Sequence, residues 1–169
     1  RRSCLTMLVL GLDPGLAITG FGLVRGDGQH LQSADYGVIR TDPSLSLSER
    51  LVVLHDALQN VIAQHAPDVA AVEELFFSTN ARTAMLVGEA RGVLLLTLAQ
   101  SGLPIYEYTP MQVKQAITGY GGADKNQIQQ MVRLLLTLDA LPQPDDAADA
   151  LAVSICHHHS AGLASLLER

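Results

Sequence analysis

Cysteine is scarce in this chain of 169 residues, with only Cys4 and Cys156 present. Two thiols build no disulfide framework, and they read as reduced groups in a cytosolic protein. No apolar run approaches the ~20 residues a membrane-spanning helix needs. No secretory signal pattern opens the chain, so a cytoplasmic protein without a membrane role is expected. Internal repeats, linkers and low-complexity segments are also missing, which points to one domain over residues 7–165. Residues 1–6, ahead of Met7, are set aside as an N-terminal extension. Positive charge is short too: 11 Lys and Arg face 17 Asp and Glu, a net charge of −6. An acidic chain argues at first against a nucleic-acid partner. The distribution softens this, because residues 78–133 carry five basic against three acidic groups while the remainder carries six against fourteen. A mildly basic middle section is compatible with a localised binding face.

The chain does hold 48% hydrophobic residues, a globular composition. Its organising stretch is Met7–Gly15, MLVLGLDPG. Leu8, Val9 and Leu10 read as a buried strand that ends in a carboxylate at a tight turn. Asp13-Pro14-Gly15 is turn chemistry, with Pro fixing φ and Gly accepting positive φ. Gly20–Val24 follows as a second strand, so the pair reads as a hairpin. Asp13 then sits at the rim of a central strand, among glycines that let a phosphate or metal approach the backbone. Taken alone, Asp13 is an ordinary turn residue.

Residues 30–40, with Tyr36, Val38 and Ile39, read as a third strand. Leu47, Leu51, Leu54, Leu58, Val61 and Ile62 recur at threes and fours, the pattern of an amphipathic helix, with Ser46 and Glu49 at capping-box spacing and Pro67 as its stop. Val69–Val72 is a short apolar run expected as a buried parallel strand, delivering Glu73 and Glu74 at its end. A helix over 78–100 is apolar nearly all round in its second half, which suits either core or a subunit interface. Pro104–Tyr108 is a fifth strand. Thr109-Pro110 and Gln112 open a helix that stops at Gly119, and Asp124 with Gln127 caps another. The last helix begins near Pro144, and Asp146 and Asp149 share one face of its start. Carboxylates suit a helix N-terminus in any case. The order gives a mixed α/β sheet flanked by helices.

Asp13, Glu73, Asp146 and Asp149 therefore all stand at element ends. Brought together, such groups repel unless cations neutralise them. Oxygen donors without a Cys or His cluster suit Mg²⁺ or Mn²⁺. Two such ions, roughly 3.5–4 Å apart, can clamp the attacking and leaving oxygens of a phosphoryl displacement. His157, His158 and His159 resemble a metal site only on paper, since neighbours on a helix point in different directions.

GLDPG with TGFG, AVEELFF, VKQAITGYGGADKNQIQQMV and PDDAADALAV closely resemble the RuvC family of Holliday-junction resolvases, from about Met7 to about His159. The resemblance implies a ribonuclease H-like fold, a five-stranded mixed sheet with helices on both faces. It implies a homodimeric endonuclease that makes paired cuts in four-way DNA junctions, and a branch-migration partner of the RuvA and RuvB type. By position it places the catalytic, metal-holding carboxylates on Asp13, Glu73, Asp146 and Asp149, with Asp145 as an extra acid beside them. Some relatives carry His where Asp146 stands. Lys114 and Lys125 match the DNA face, and Phe76 matches an aromatic that acts at the junction centre. Arg82 and Arg91 are further candidates for DNA contact, with solvation or dimer contacts as the alternative.

Three other readings compete. A sugar-kinase or actin-like ATPase shares the strand-Asp-Gly hairpin but needs a second lobe that 169 residues cannot supply. A catalytically silent junction-binding module would not be expected to keep all four carboxylates. A related small nuclease acting on RNA shares the first motif, whereas AVEELFF and the Lys114–Lys125 segment favour the resolvase.

Overall fold

The structure is a computed structural model, and it describes residues 6–27, 29–75 and 80–167. Five strands form one sheet: β1 (Met7–Asp13), β2 (Ile18–Gly26), β3 (Leu31–Arg40), β4 (Val69–Glu73) and β5 (Ile105–Tyr108). Their spatial order is β3-β2-β1-β4-β5. The first three strands run antiparallel, while β4 and β5 join β1 in parallel. The expected mixed α/β sheet is thus the observed one.

The helices are α1 (Leu47–His65), α2 (Ala81–Gln100), α3 (Pro110–Thr118), α4 (Lys125–Leu135) and α5 (Asp145–Leu167). Their starts follow local chemistry. Ser46 with Glu49, Thr109 with Gln112 and Asp124 with Gln127 each form a complete capping box. Helix α2 begins at Ala81 instead of residue 78, because the Asn80 side chain accepts from the N–H groups of Arg82 and Thr83. Helix α5 begins at Asp145, one residue after the expected Pro144.

Side-chain alternation along the strands divides the core into two layers. Leu8, Leu10 and Leu12 of β1 face α1 and α2 together with Ala70 and Val72 of β4, and Leu54, Leu58, Leu94 and Leu98 complete that layer. Val9 and Ala71 face the other way, into a layer closed by Val113, Ile117, Ile128, Val132, Leu151 and Ile155 of α3, α4 and α5. Each fully buried leucine stabilises the fold by about 1.5–3 kcal/mol relative to an exposed one. On α2 only one face is buried, with Ala90, Leu94, Thr97 and Leu98 inside and Met85 and Leu96 exposed. The nearly all-round apolar pattern is therefore not explained by the core alone.

Helix α5 lies unusually close over β1 and β2. A Cβ at Gly20 would overlap the Asp146 carbonyl, and one at Gly11 would overlap the Ala150 carbonyl. Glycine at these two positions is what lets the acidic first turns of α5 sit directly on the strands. The Ser154 hydroxyl fastens the contact by donating to the Gly22 carbonyl at 2.7 Å.

Candidate active site

The same alternation that divides the core builds the site. Asp13 ends β1 on the face of Val9 and Gly11, and Glu73 ends β4 on the face of Val69 and Ala71. Leu12 pairs with Val72 in parallel register, so the next residues, Asp13 and Glu73, stand side by side beneath α5. They share a side-chain hydrogen bond. Such a bond between two carboxyl groups requires that one of them carry a proton.

The electrostatics are those of a crowded anionic pocket. Burial pushes the Asp13 carboxyl up to about 8, and the charges of Glu73, Asp149 and Asp146 push the same way. Glu73 is raised by burial and by Asp149, against the opposing effects of its bond to Asp13 and the charge of Lys114. Asp149 is raised by burial although Lys125 pulls it down. Groups that drive one another toward protonation form a donor set that a hard divalent cation would relieve. Among the described residues, no group of three or more His, Cys, Asp or Glu is gathered into a finished cage. Lys125 is ion-paired to Asp149 at 3.4 Å. The donor chemistry nevertheless fits a hard divalent cation, for which the carboxylates of Asp13, Glu73, Asp146 and Asp149 could supply oxygen donors.

A cavity of about 210 Å³ opens beside these groups, lined by Glu73, Lys114, Lys125 and Asp149 over a floor of Pro110, Val113, Ile128 and Ala152. Its lining mixes two carboxylates with two ammonium-bearing side chains, one of which, Lys125, is ion-paired to Asp149. Of the other residues expected to meet DNA, Arg82 stands exposed in the first turn of α2 and does not line the cavity. Phe76 lies outside the described residues.

Some contacts were not foreseen from the sequence. The Lys125 ammonium bridges Asp145 at 3.3 Å and Asp149 at 3.4 Å. Gln129, one turn further along α4, donates to Asp145 at 3.0 Å. Arg91 is turned inward, where its side chain pairs with Glu107 and its Nε donates to the Glu73 carbonyl at 3.4 Å. It braces the end of β4. The i, i+4 spacings of Asp145 with Asp149 and of Lys125 with Gln129 were visible signals, but only the crossing of α4 and α5 joins them. The three adjacent histidines go to three different partners: His157 Nδ1 to the Tyr108 hydroxyl, His158 Nε2 to the Val24 carbonyl and His159 Nδ1 to the Ala116 carbonyl.

A carboxylate cluster at the ends of adjacent central strands, under the start of the last helix of a five-stranded mixed sheet, defines a hydrolase of the ribonuclease H-like class. The family model of the crossover junction endodeoxyribonuclease RuvC matches residues 9–157. A protein of that name from Roseiflexus is 55% identical over 159 residues, covering 94% of this chain and 95% of its own length. Another, from Desulfitobacterium hafniense, is 56% identical over 157 residues, covering 93% and 95%. Among solved structures, Thermus thermophilus RuvC in complex with Holliday junction substrate superposes with a TM-score of 0.88 at 37% identity, covering 94% of this chain and 97% of that one. The yeast mitochondrial Holliday junction resolvase shares the fold, with a TM-score of 0.68 at 13% identity. The chain belongs to the RuvC family of crossover junction endodeoxyribonucleases.

Proposed function

We propose that this enzyme resolves four-way DNA junctions by two symmetric incisions, using Asp13, Glu73, Asp146 and Asp149 to hold two divalent ions, Mg²⁺ with Mn²⁺ as a substitute. Endonucleolytic cleavage of junction DNA is the activity of its family. The observation that supports the residue assignment is the adjacency of Asp13 and Glu73 at the ends of the paired strands β1 and β4, beside a cavity lined by Glu73, Asp149, Lys114 and Lys125.

Bound ions would neutralise the carboxylates, stabilise charge developing on the phosphate and lower the pKa of an attacking water. The chain's own groups do the rest. Asp13 and Glu73 give up their shared proton when the donors are charged. Lys114 and Lys125 set the scissile strand by contact with phosphate oxygens, which positions without reading bases. Phe76 stacks on a base at the junction centre, a kind of contact worth about 1–3 kcal/mol. Arg91 keeps the Glu73 carbonyl, and with it the end of β4, in place. Arg82, exposed in the first turn of α2, meets flanking phosphate.

Paired cuts on opposed strands need two equivalent sites, which a C2 homodimer supplies. The exposed apolar side of α2 around Met85 and Leu96 is the surface for it. A branch-migration complex of the RuvA and RuvB type is the partner that would deliver junctions. No helix among the described residues is long and apolar enough to cross a membrane, and a junction substrate fits work in the cytoplasm.

The test is cleavage of a synthetic four-way junction, its linear duplex arms and a DNA–RNA hybrid, each with and without Mg²⁺. Symmetric nicks in the junction alone, only with Mg²⁺, are expected. Preferential cutting of the hybrid would move the enzyme to the related RNA-directed nucleases, and binding without cutting would make it a silent module.

A further inference from the structure

Lys125 is the first residue of α4, and its ammonium lies between two carboxylates of α5 that do different jobs. Asp149 faces the cavity with Glu73. Asp145, one turn earlier, stands outside the cavity, where Gln129 holds it from the other oxygen at 3.0 Å. The ammonium is nearly equidistant from both, at 3.4 Å and 3.3 Å. Its side chain is 55% exposed, so it can swing without breaking any packing. A divalent ion at Asp149 would repel the ammonium at short range, whereas Asp145 or a phosphate in the cavity would still attract it.

We propose that Lys125 is an exchangeable counter-ion, which neutralises Asp149 from its bridge to Asp145 and withdraws to Asp145 or to substrate phosphate when a divalent cation takes that carboxylate. The proposal rests on reading Asp149 as a cation donor. Asp145 then has a role as the resting place of the lysine, held ready by Gln129. Cation and lysine compete for one carboxylate, so any anion that draws Lys125 away favours the cation, and the cation in turn favours the anion, because coupling between two ligands is reciprocal. Substrate phosphate and metal would thus enter the site together.

The competition is measurable without DNA and without cleavage. The full chain, stripped of metal with a chelator, is titrated with Mn²⁺ in a calorimeter. Couplings of this kind commonly amount to 5–150-fold, so Lys125→Met and Lys125→Gln are expected to bind Mn²⁺ about tenfold more tightly than the parent. Lys125→Arg keeps the counter-ion and should bind as the parent does. Lys114→Met removes an equal charge from the same cavity without touching Asp149, so it should tighten binding by less than about threefold. Asp13→Asn should weaken Mn²⁺ binding by at least about tenfold, as loss of one anionic donor. Unchanged or weaker binding in Lys125→Met overturns the proposal, as does equal tightening in Lys114→Met or in Lys125→Arg. If Asp13→Asn binds Mn²⁺ as the parent does, the reading of the carboxylates as donors fails, and this proposal falls with it.

Discussion

The two clusters of titratable side chains on α5 are treated in opposite ways. At its start, the charge of Asp146 acts on Asp13 and Asp149, and Asp13, Glu73 and Asp149 are all pushed toward the protonated form, first by burial and then by their acidic neighbours. Three turns on, His157, His158 and His159 are adjacent in sequence but are each given a hydrogen-bond partner on a different element. His157 also packs at a tilt against Tyr106, with ring centroids 4.4 Å apart. Burial pushes His157 down to about 4, with the neighbouring His158 adding to the effect. Burial holds His157 and His158 toward the neutral form, and all three histidines are tied into the fold by hydrogen bonds. Sequence proximity of potential ligands at the far end gives hydrogen-bonded structural groups, while sequence-remote carboxylates at the near end give buried acids crowded toward protonation. Titratable groups so strongly perturbed by burial and by one another cluster at functional sites.

The largest effect should come from the acidic end. Asp13→Asn is expected to reduce junction cleavage by at least about 10³-fold, on the order of 4 kcal/mol of transition-state stabilisation. Junction binding should hold or tighten, because a charge near phosphate is gone. Gel shift and cleavage on one preparation check both, and near-normal cutting would make Asp13 a turn residue only. At the far end the loss should be one of stability. His158→Ala removes a nearly fully buried ring and its hydrogen bond to the Val24 carbonyl, for a cost of about 2–4 kcal/mol in denaturant unfolding. Mn²⁺ binding by the folded fraction should be unchanged, and a large drop in it would dissolve the distinction between the two ends.

The pH dependence of stability should separate the ends by sign. Asp13 is raised above its unfolded value of 3.8, so the folded state holds its proton more tightly. Its contribution is fully present below about pH 4 and is lost as pH rises through about 8. His157 is lowered from 6.5 to about 4, so its contribution is present above pH 6.5 and is lost as pH falls toward 4. Metal-free protein should therefore lose stability toward both limits. Asp13→Asn should flatten only the alkaline side, as chemical denaturation from pH 4.5 to 9 would show. The smallest effect concerns salt. Lys114→Ala and Lys125→Ala should each lower the magnitude of the salt slope of junction binding by about one unit, equally for every junction sequence. Unchanged slopes would remove both lysines from the DNA face.

How much of this was legible in the sequence depends on the range of each interaction. The strands, and the capping boxes at Ser46, Thr109 and Asp124, were readable because each rests on residues three or four apart. Asp13 and Glu73 were readable as a pair because both end apolar strands, and the period of two then fixes the face they occupy. The start of α2 was misplaced because Ser78 and Asn80 are both good caps, and nothing in the sequence ranks them by geometry. The bridge from Lys125 to Asp145 and Asp149, and the inward turn of Arg91 to Glu73 and Glu107, were not readable. Each depends on how two helices, or a helix and a strand end, cross in space. Surface-looking charges were thereby converted into parts of the site.

The central claim is that the acidic end of α5 is built for a cation, and ligand linkage tests it most directly. Unfolding of the wild-type chain by denaturant at pH 8 is followed with increasing Mg²⁺, beside Asp13→Asn and His158→Ala. The account predicts that Mg²⁺ raises the midpoint of wild type and of His158→Ala by the same amount, and leaves Asp13→Asn nearly unmoved. No stabilisation of wild type, or equal stabilisation of Asp13→Asn, would contradict it.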